Sequence, residues 1–194
     1  MMTEDEFWAL IDEAREASGD KDHPMVDFLV DRLVAIGVKA VQDFDYWYHG
    51  FEARAYRFNL WDTCYLLNCS CSDDGFSDFR AWLISRGRDV YLRALDDPEI
   101  LIDHLTTEDQ AYGSLWVVSI EACKKLGVKF PDIIDRPTVI REVEGKSILE
   151  GFKESEYDAV LKEHFPVLFA KFGDCEKRDD FWFSQMKNSR NRQS

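Results

Sequence analysis

Residues 71–87 read CSDDGFSDFRAWLISRG, and the rest of the chain is organised around them. Ser72 is placed to cap a helix, because its hydroxyl can accept a hydrogen bond from a free backbone N–H of the first turn. Asp73 and Asp74 then put negative charge where the helix dipole favours it. Gly87 follows Arg86 as a C-cap glycine does. The stretch therefore predicts one amphipathic helix with both ends marked.

Arg80 lies on the apolar face of this predicted helix, one turn from Phe76 and Leu83. A guanidinium group stays charged in proteins, so it must reach water or meet a carboxylate. Glu52 and Asp62, both from the preceding segment, are the best-placed carboxylates. We therefore expect an ion pair between this helix and the segment before it.

Two interpretations of these charged residues stay open. In the first, Asp73, Asp74 and Arg80 form a helix cap and a structural ion pair, which are common features of folded proteins. In the second, they line a pocket of an enzyme or of a small-molecule or metal-binding protein, with Trp82 or Tyr65 as an aromatic wall. The first interpretation gives a purely structural role to three residues: Ser72, Trp82 and Gly87.

Cys71 directly precedes the predicted helix and is a further candidate for catalysis. A helix N-terminus stabilises a thiolate, but the two aspartates that follow oppose it by like-charge repulsion. No histidine stands in a motif relation to Cys71, so it lacks an identifiable base. His49 lies in an aromatic segment, where we expect a packed side chain rather than a metal ligand.

The sequence predicts no metal site and no cofactor. Cys69 and Cys71 lack the second Cys or His pair that structural zinc requires. A hard cation on Asp73 and Asp74 needs ligands from elsewhere, because adjacent helical positions diverge by about 100°. A glycine loop for phosphate, a nucleophile elbow and a zincin helix are also absent from the sequence.

Hydrophobic spacings of three and four residues recur along most of the chain and predict an all-α fold. We expect a single-domain antiparallel bundle of about seven or eight helices. Among these helices we expect a new one capped by Asn59 and a long one from Thr107 to Leu126. A β-branched run at 138–143 allows one short extended arm. The expected organisation is a helical core (1–131), a helical C-terminal extension packed on it (132–186) and a frayed tail (187–194).

Charge and cysteine content restrict the function classes. The chain has 38 acidic and 24 basic residues, for a formal net charge of −14. Such a surface repels nucleic acid and anionic lipid, so a protein with a basic surface is the expected partner. The five cysteines are odd in number and lack the spacing of a disulfide framework. Together with an acidic N-terminus and the lack of a long apolar stretch, they predict a reducing cytoplasm.

The motif and the start of the chain carry a resemblance. The run C-S-D-D-x-F-x-x-F-R-x-W-L-I-x-x-G at 71–87, with T-E-x-x-F-W-x-L-I at 3–11, resembles an uncharacterised bacterial family of unknown function. The similarity covers roughly the first 130 residues, and the central motif is specific. The chain departs from the usual pattern at 68–70, where the family carries glycine before the motif cysteine. The resemblance implies a fold and no activity.

We carry two functional hypotheses from the sequence. The first is an acidic cytoplasmic protein-interaction module, regulatory or immunity-like, and it is favoured by the charge balance and the lack of a catalytic motif. The second is the enzyme or ligand-binding protein that uses Ser72, Asp73, Asp74 and Arg80. The first hypothesis favours a non-enzymatic role.

Overall fold

The computed structural model of the chain describes residues 1–105, 110–130 and 145–175. Within these ranges the protein is an all-α helical bundle without a β-strand. Its helices are α1 (Glu4–Ser18), α2 (Asp22–Ile36), α3 (Val38–Arg54), α4 (Phe58–Asn68), α5 (Asp73–Ser85), α6 (Arg88–Asp96), α7 (Val118–Leu126), α8 (Tyr157–His164) and α9 (Pro166–Phe172). Three 3₁₀ turns accompany them, at Pro98–Asp103, Leu115–Val117 and Glu154–Glu156.

The first three helices pack around an aromatic core. Thr3 and Glu6 form a capping box at the start of α1, and Gly19 ends that helix in the left-handed conformation. Helix α2 contacts α1, α3 and α7, and α3 also contacts α5. The rings of Phe7 and Phe44 are buried between these elements, with their centroids 5.2 Å apart. Burial of this aromatic stripe is the main force that brings the helices together.

Helix α3 is continuous through Gly50. The new helix that Asn59 was expected to cap begins instead at Phe58. The Asn59 side chain accepts a hydrogen bond from the backbone N–H of Leu60 and donates one to the carbonyl of Leu95. Its amide therefore joins α4 to the end of α6 rather than capping a helix, which a local spacing rule does not anticipate.

The helix expected from Thr107 to Leu126 is shorter than predicted, since α7 begins at Val118. Residues 110–114 are not helical because tertiary contacts take up their backbone groups. The side chain of Asn68 pairs with the N–H and carbonyl of Ala111, at 2.9 and 3.5 Å. Gly113 donates its N–H to the carbonyl of Asp78 at 3.0 Å. These bonds offer the segment an alternative to helical hydrogen bonds.

The C-terminal part of the described chain packs on α4 and on the Pro98–Asp103 turn through α9. Buried Asp62 accepts hydrogen bonds from the Ser147 hydroxyl at 2.6 Å and from the Ile148 N–H at 3.0 Å. Burial raises the pKa of the Asp62 carboxyl, and these two hydrogen bonds oppose the rise. Ser147 and Ile148 lie 85 and 86 positions after Asp62 in the chain. Their hydrogen bonds to Asp62 therefore determine where the segment after residue 145 packs on α4.

A disulfide bond joins Cys69 to Cys175 across 106 positions of the chain. The expectation of cysteines without disulfide pairing is therefore wrong for these two. Cys69 ends α4 in the left-handed conformation, with φ 61°, at the site where the chain departs from the resembled family. Its side chain is thereby directed to the end of α9, a contact that sequence spacing does not reveal. The thiols of Cys64, Cys71 and Cys123 are free.

Some predicted features lie outside the described residues: the arm at 138–143 and the tail at 187–194. None of the helices described is both long enough and apolar enough to cross a membrane.

Candidate functional site

The motif helix α5 is capped as its sequence indicates. The Ser72 hydroxyl accepts a hydrogen bond from the Gly75 N–H at 3.1 Å, and Asp73 and Asp74 occupy the first turn with exposed side chains. At the other end, Arg86 is the cap residue and Gly87, with φ 89°, lies between α5 and α6. The cap residue of α5 is therefore one position earlier than predicted, and Gly87 turns the chain from α5 into α6.

Arg80 is enclosed between α3 and α5, with only 2% of its surface exposed. Of the two candidate carboxylates the structure selects Glu52, whose Oε1 lies 3.2 Å from Arg80 Nη2. Arg80 also donates from Nη1 to the Glu52 carbonyl at 2.9 Å and from Nη2 to the Ser77 hydroxyl at 2.9 Å. The guanidinium lies over the rings of Tyr56 and Phe76, 4.9 Å from each centroid. Its charge is thus balanced inside the bundle.

The pocket hypothesis required Arg80 to share a site with Asp73 and Asp74. The structure places the two carboxylates on the surface at the start of α5 and the guanidinium in the interior. The hydrogen bonds and the ion pair described for Arg80 run to α3 and to its own helix. A catalytic role for these three residues stays a prediction, and their geometry favours the structural interpretation.

The ion pair of Arg80 continues into a charged network that the sequence analysis missed. His49 Nδ1 lies 2.9 Å from Glu52 Oε2, and its Nε2 lies 3.5 Å from Asp45 Oδ1. Both carboxylates are buried and the imidazole is mostly buried. The spacing could have revealed it, because residues three and four apart meet on one helix face. The expectation for His49 concerned metal ligation and did not include its carboxylate neighbours, Asp45 and Glu52.

Tyr48 adds an unpaired hydroxyl beside this network. Its Oη is buried and makes no hydrogen bond in the structure. Burial raises the pKa of the Tyr48 hydroxyl, and the nearby Glu52 carboxylate raises it further. Among the described residues, no three His, Cys, Asp or Glu side chains form a group suited to hold a metal ion. Both ring nitrogens of His49 face carboxylates instead.

Trp82 and Tyr65, the two candidate aromatic walls, lie in different places. Trp82 is buried and lines a cavity of about 500 Å³ with Arg86, whose guanidinium lies 5.5 Å from the Trp82 ring centroid. Tyr65 packs edge-on against Tyr157 of α8, with their centroids 5.6 Å apart. Only Trp82 thus contributes to the cavity near the motif, and its partners differ from those expected.

Cys71, the remaining candidate for catalysis, is partly exposed and lies close to the buried Cys64. Burial raises the pKa of the Cys64 thiol, and the neighbouring Cys71 thiol raises it further. Cys71 Sγ lies 3.9 Å from the carbonyl of Ser72. These surroundings keep the Cys64 thiol protonated and therefore poorly nucleophilic.

An exposed tryptophan lies among carboxylates beside the start of α5. Trp116 is 48% exposed, and its Nε1 donates a hydrogen bond to Asp78 Oδ1 at 3.1 Å. Burial raises the pKa of Asp78, the Trp116 hydrogen bond lowers it, and nearby Asp74 and Asp22 raise it. We call Asp22, Asp74, Asp78 and Trp116 the Trp116 surface. Sequence reasoning placed Trp116 in a long helix and did not single it out.

The comparisons with known proteins identify the family. A family model described as a protein of unknown function, DUF4240, matches residues 2–125, which is more than half of the chain. No curated protein and no solved structure matches the chain. The family match covers the motif helix α5, the Arg80–Glu52 pair and the Trp116 surface. The chain belongs to the DUF4240 family, for which no function is known.

Proposed function

We propose that this protein is an interaction module that binds a basic segment of another protein through the Trp116 surface. The observation that carries the proposal is the half-exposed Trp116 ring, held by its hydrogen bond to Asp78. Fixing an aromatic ring before binding reduces the conformational entropy lost on association. Tryptophan is among the residues most enriched at the energetic centres of protein interfaces.

The charge around the ring favours a cationic partner. Asp74 is exposed, and Asp22 and Asp78 are near enough to influence one another. An arginine or lysine of a partner can stack on the indole and hydrogen-bond to these carboxylates. The net charge of −14 would speed the encounter with a basic protein at low salt. A regulatory or immunity-like role, in which a basic protein is bound and masked, is consistent with this chemistry.

The test is a pull-down from host extract, with quantitative mass spectrometry of what the tagged full chain retains. We expect a stoichiometric basic protein that is retained at low salt and lost at high salt, because exposed charges are screened. Trp116→Ala and the double variant Asp74→Asn/Asp78→Asn should lose it. The matched control is Asp89→Asn/Asp96→Asn, which removes two exposed carboxylates on α6.

Equal retention by the Trp116 variant and the control would contradict the proposal, as would a partner that is insensitive to salt. A circular dichroism spectrum of each variant shows that lost binding is not lost folding.

A cytoplasmic location stays a prediction, and one structural observation opposes it. Disulfides persist mainly in oxidising compartments, so the Cys69–Cys175 bond favours a location outside the reducing cytoplasm. Thiol trapping in intact host cells distinguishes a reducing cytoplasm from an oxidising compartment. Free thiols at Cys69 and Cys175 would support the cytoplasm, and a bonded pair would support an oxidising compartment.

A further inference from the structure

A polar cavity of about 500 Å³ lies where the start of α2, the end of α5 and the Pro98–Asp103 turn meet. Its volume is in the range of ~300–1,000 Å³ that is typical of small-molecule sites. The side chains that bear on its chemistry are Arg15, Lys21, Trp82, Arg86, His104 and Tyr112. The function proposed above does not depend on this cavity, although Asp22 of the Trp116 surface also lines it.

The cationic groups of the cavity come from separate parts of the chain, and hydrogen bonds hold its two arginines in place. Arg86 donates from Nε and Nη2 to the Ser85 hydroxyl, at 3.2 and 3.0 Å, and stacks on Trp82. Arg15 donates from Nε to Asp20 Oδ1 at 3.0 Å. Lys21 immediately precedes α2. Guanidinium groups fixed in this way suit the planar recognition of oxyanions.

Three carboxylates also line the cavity, and their contacts limit their effect. Both oxygens of Asp22 accept hydrogen bonds from Ser114, at 2.8 Å from its N–H and 2.6 Å from its hydroxyl. Asp20 Oδ1 pairs with Arg15 and lies 3.8 Å from Arg86 Nη1, so it orients these cations. Asp103 is exposed. The three carboxylates and the three cations of the lining balance in formal charge, whereas the protein as a whole carries a net charge of −14.

The pKa of His104 is affected by the charged groups around the cavity. Burial lowers its pKa, and the charges of Arg86 and Arg15 lower it further, against the opposing effect of Asp103. The two guanidinium groups thus outweigh the nearest carboxylate at the imidazole. The positive charge that Arg86 and Arg15 place near His104 favours an anion on this side of the cavity.

We propose that this cavity binds a small organic phosphate, with the phosphoryl oxygens on Arg15, Lys21 and Arg86. The volume exceeds what an inorganic ion fills, so the organic part of the ligand occupies the space beside Tyr112 and His104. Carboxylates share the oxyanion chemistry, and the experiment below separates the two classes.

The experiment is calorimetric titration of the full chain with inorganic phosphate, glucose 6-phosphate, adenosine monophosphate and succinate. We expect one of the organic phosphates to bind with a Kd below about 1 mM, and more tightly than inorganic phosphate or succinate. The double variant Arg15→Gln/Lys21→Gln should weaken that binding at least about tenfold. The matched control is Lys124→Gln/Lys125→Gln, which removes two exposed positive charges on α7 and should bind like the wild type.

Several results would overturn the proposal. The first is that none of the four compounds binds. The second is that succinate or inorganic phosphate binds as tightly as the organic phosphates or more tightly. The third is that the α7 control loses as much affinity as the cavity variant. Lys21→Gln alone keeps the test valid if the double variant does not fold, because Lys21 is exposed and makes no capping bond. The ring signals of His104 should also shift on binding, which locates the ligand.

Discussion

A single buried arginine links the two central helices of this protein. Arg80 lies on the apolar face of α5, and its ion pair with Glu52 continues through His49 to Asp45 on α3. Removing such charges from water costs free energy that only close pairing offsets. A mismatched register between α3 and α5 would leave these charges unpaired, so we infer that the network specifies how the two helices pack.

Replacing Arg80 by methionine should destabilise the protein. Arg80→Met keeps the apolar stem and removes the guanidinium, which leaves the buried Glu52 carboxylate without its closest cation. Breaking a buried pair in this way costs about 3–5 kcal/mol of unfolding free energy. Chemical denaturation measures it. Arg93→Met, which breaks an exposed pair with Asp89, is the control and should cost less than about 1 kcal/mol. An equal, small effect of both would show that the Arg80 pair is not structural.

His104 should make stability depend on pH. Its pKa is lowered in the folded protein by burial and then by Arg86 and Arg15. The unfolded chain therefore binds a proton first as pH falls, so stability should be full above about 6.5 and decrease below it. His104→Gln should flatten this part of the profile in denaturation between pH 7.5 and 5.5. High salt should remove the arginine contribution and keep that of burial. Parallel profiles for variant and wild type would contradict this account.

Helix boundaries show where local signals compete with tertiary contacts. The ends of α1 and α5 follow their caps, because a cap needs only residues within one turn. The start of α7 does not follow its sequence pattern, since the preceding backbone is held by Asn68 and Asp78. Gly113 permits this arrangement, because a Cβ there would lie 2.6 Å from the backbone nitrogen of Trp82.

Replacing Gly113 and Gly50 by alanine should change the stability of the protein in opposite directions. Gly113→Ala forces the loop away from the backbone of α5 and should cost about 1–3 kcal/mol. Gly50 lies inside α3, and a Cβ there meets nothing within 4 Å. Gly50→Ala should therefore stabilise the protein by about 0.5–1 kcal/mol, because alanine loses less backbone entropy. Thermal denaturation of the two variants tests both, and a stable Gly113→Ala would show that the close approach is not required.

At the scale of the whole molecule, contacts between distant segments hold residues 145–175 on the helical bundle. Asp62 of α4 binds the backbone and side chain at 147–148, and the Glu99 carboxylate accepts the N–H groups of Val167 and Leu168 at the start of α9. The Cys69–Cys175 disulfide adds a covalent link. Residues 145–175, which lie beyond the family match, are in this way joined to the bundle.

Removing the disulfide should lower stability and leave the bundle folded. Cys175→Ser reopens a loop of 106 positions, and the entropy of the unfolded chain predicts a loss of about 5 kcal/mol. Denaturation with and without reductant measures it: the variant and wild type should differ only under oxidising conditions. Cys71→Ser, which removes a free thiol, should behave like the wild type in both. A difference that persists in reductant would assign the effect to packing instead.

The sequence by itself determined the all-α class, the N-terminal cap of α5 and a cation on the apolar face that needs a carboxylate. These features depend on residues within a few turns of one another, which periodicity and capping rules describe. Only the tertiary structure decided that Glu52 rather than Asp62 pairs with Arg80, that Trp116 lies exposed beside Asp78, and that Cys69 meets Cys175. The physical reason is that these contacts join residues 28 to 106 positions apart, so they depend on which helix faces pack together.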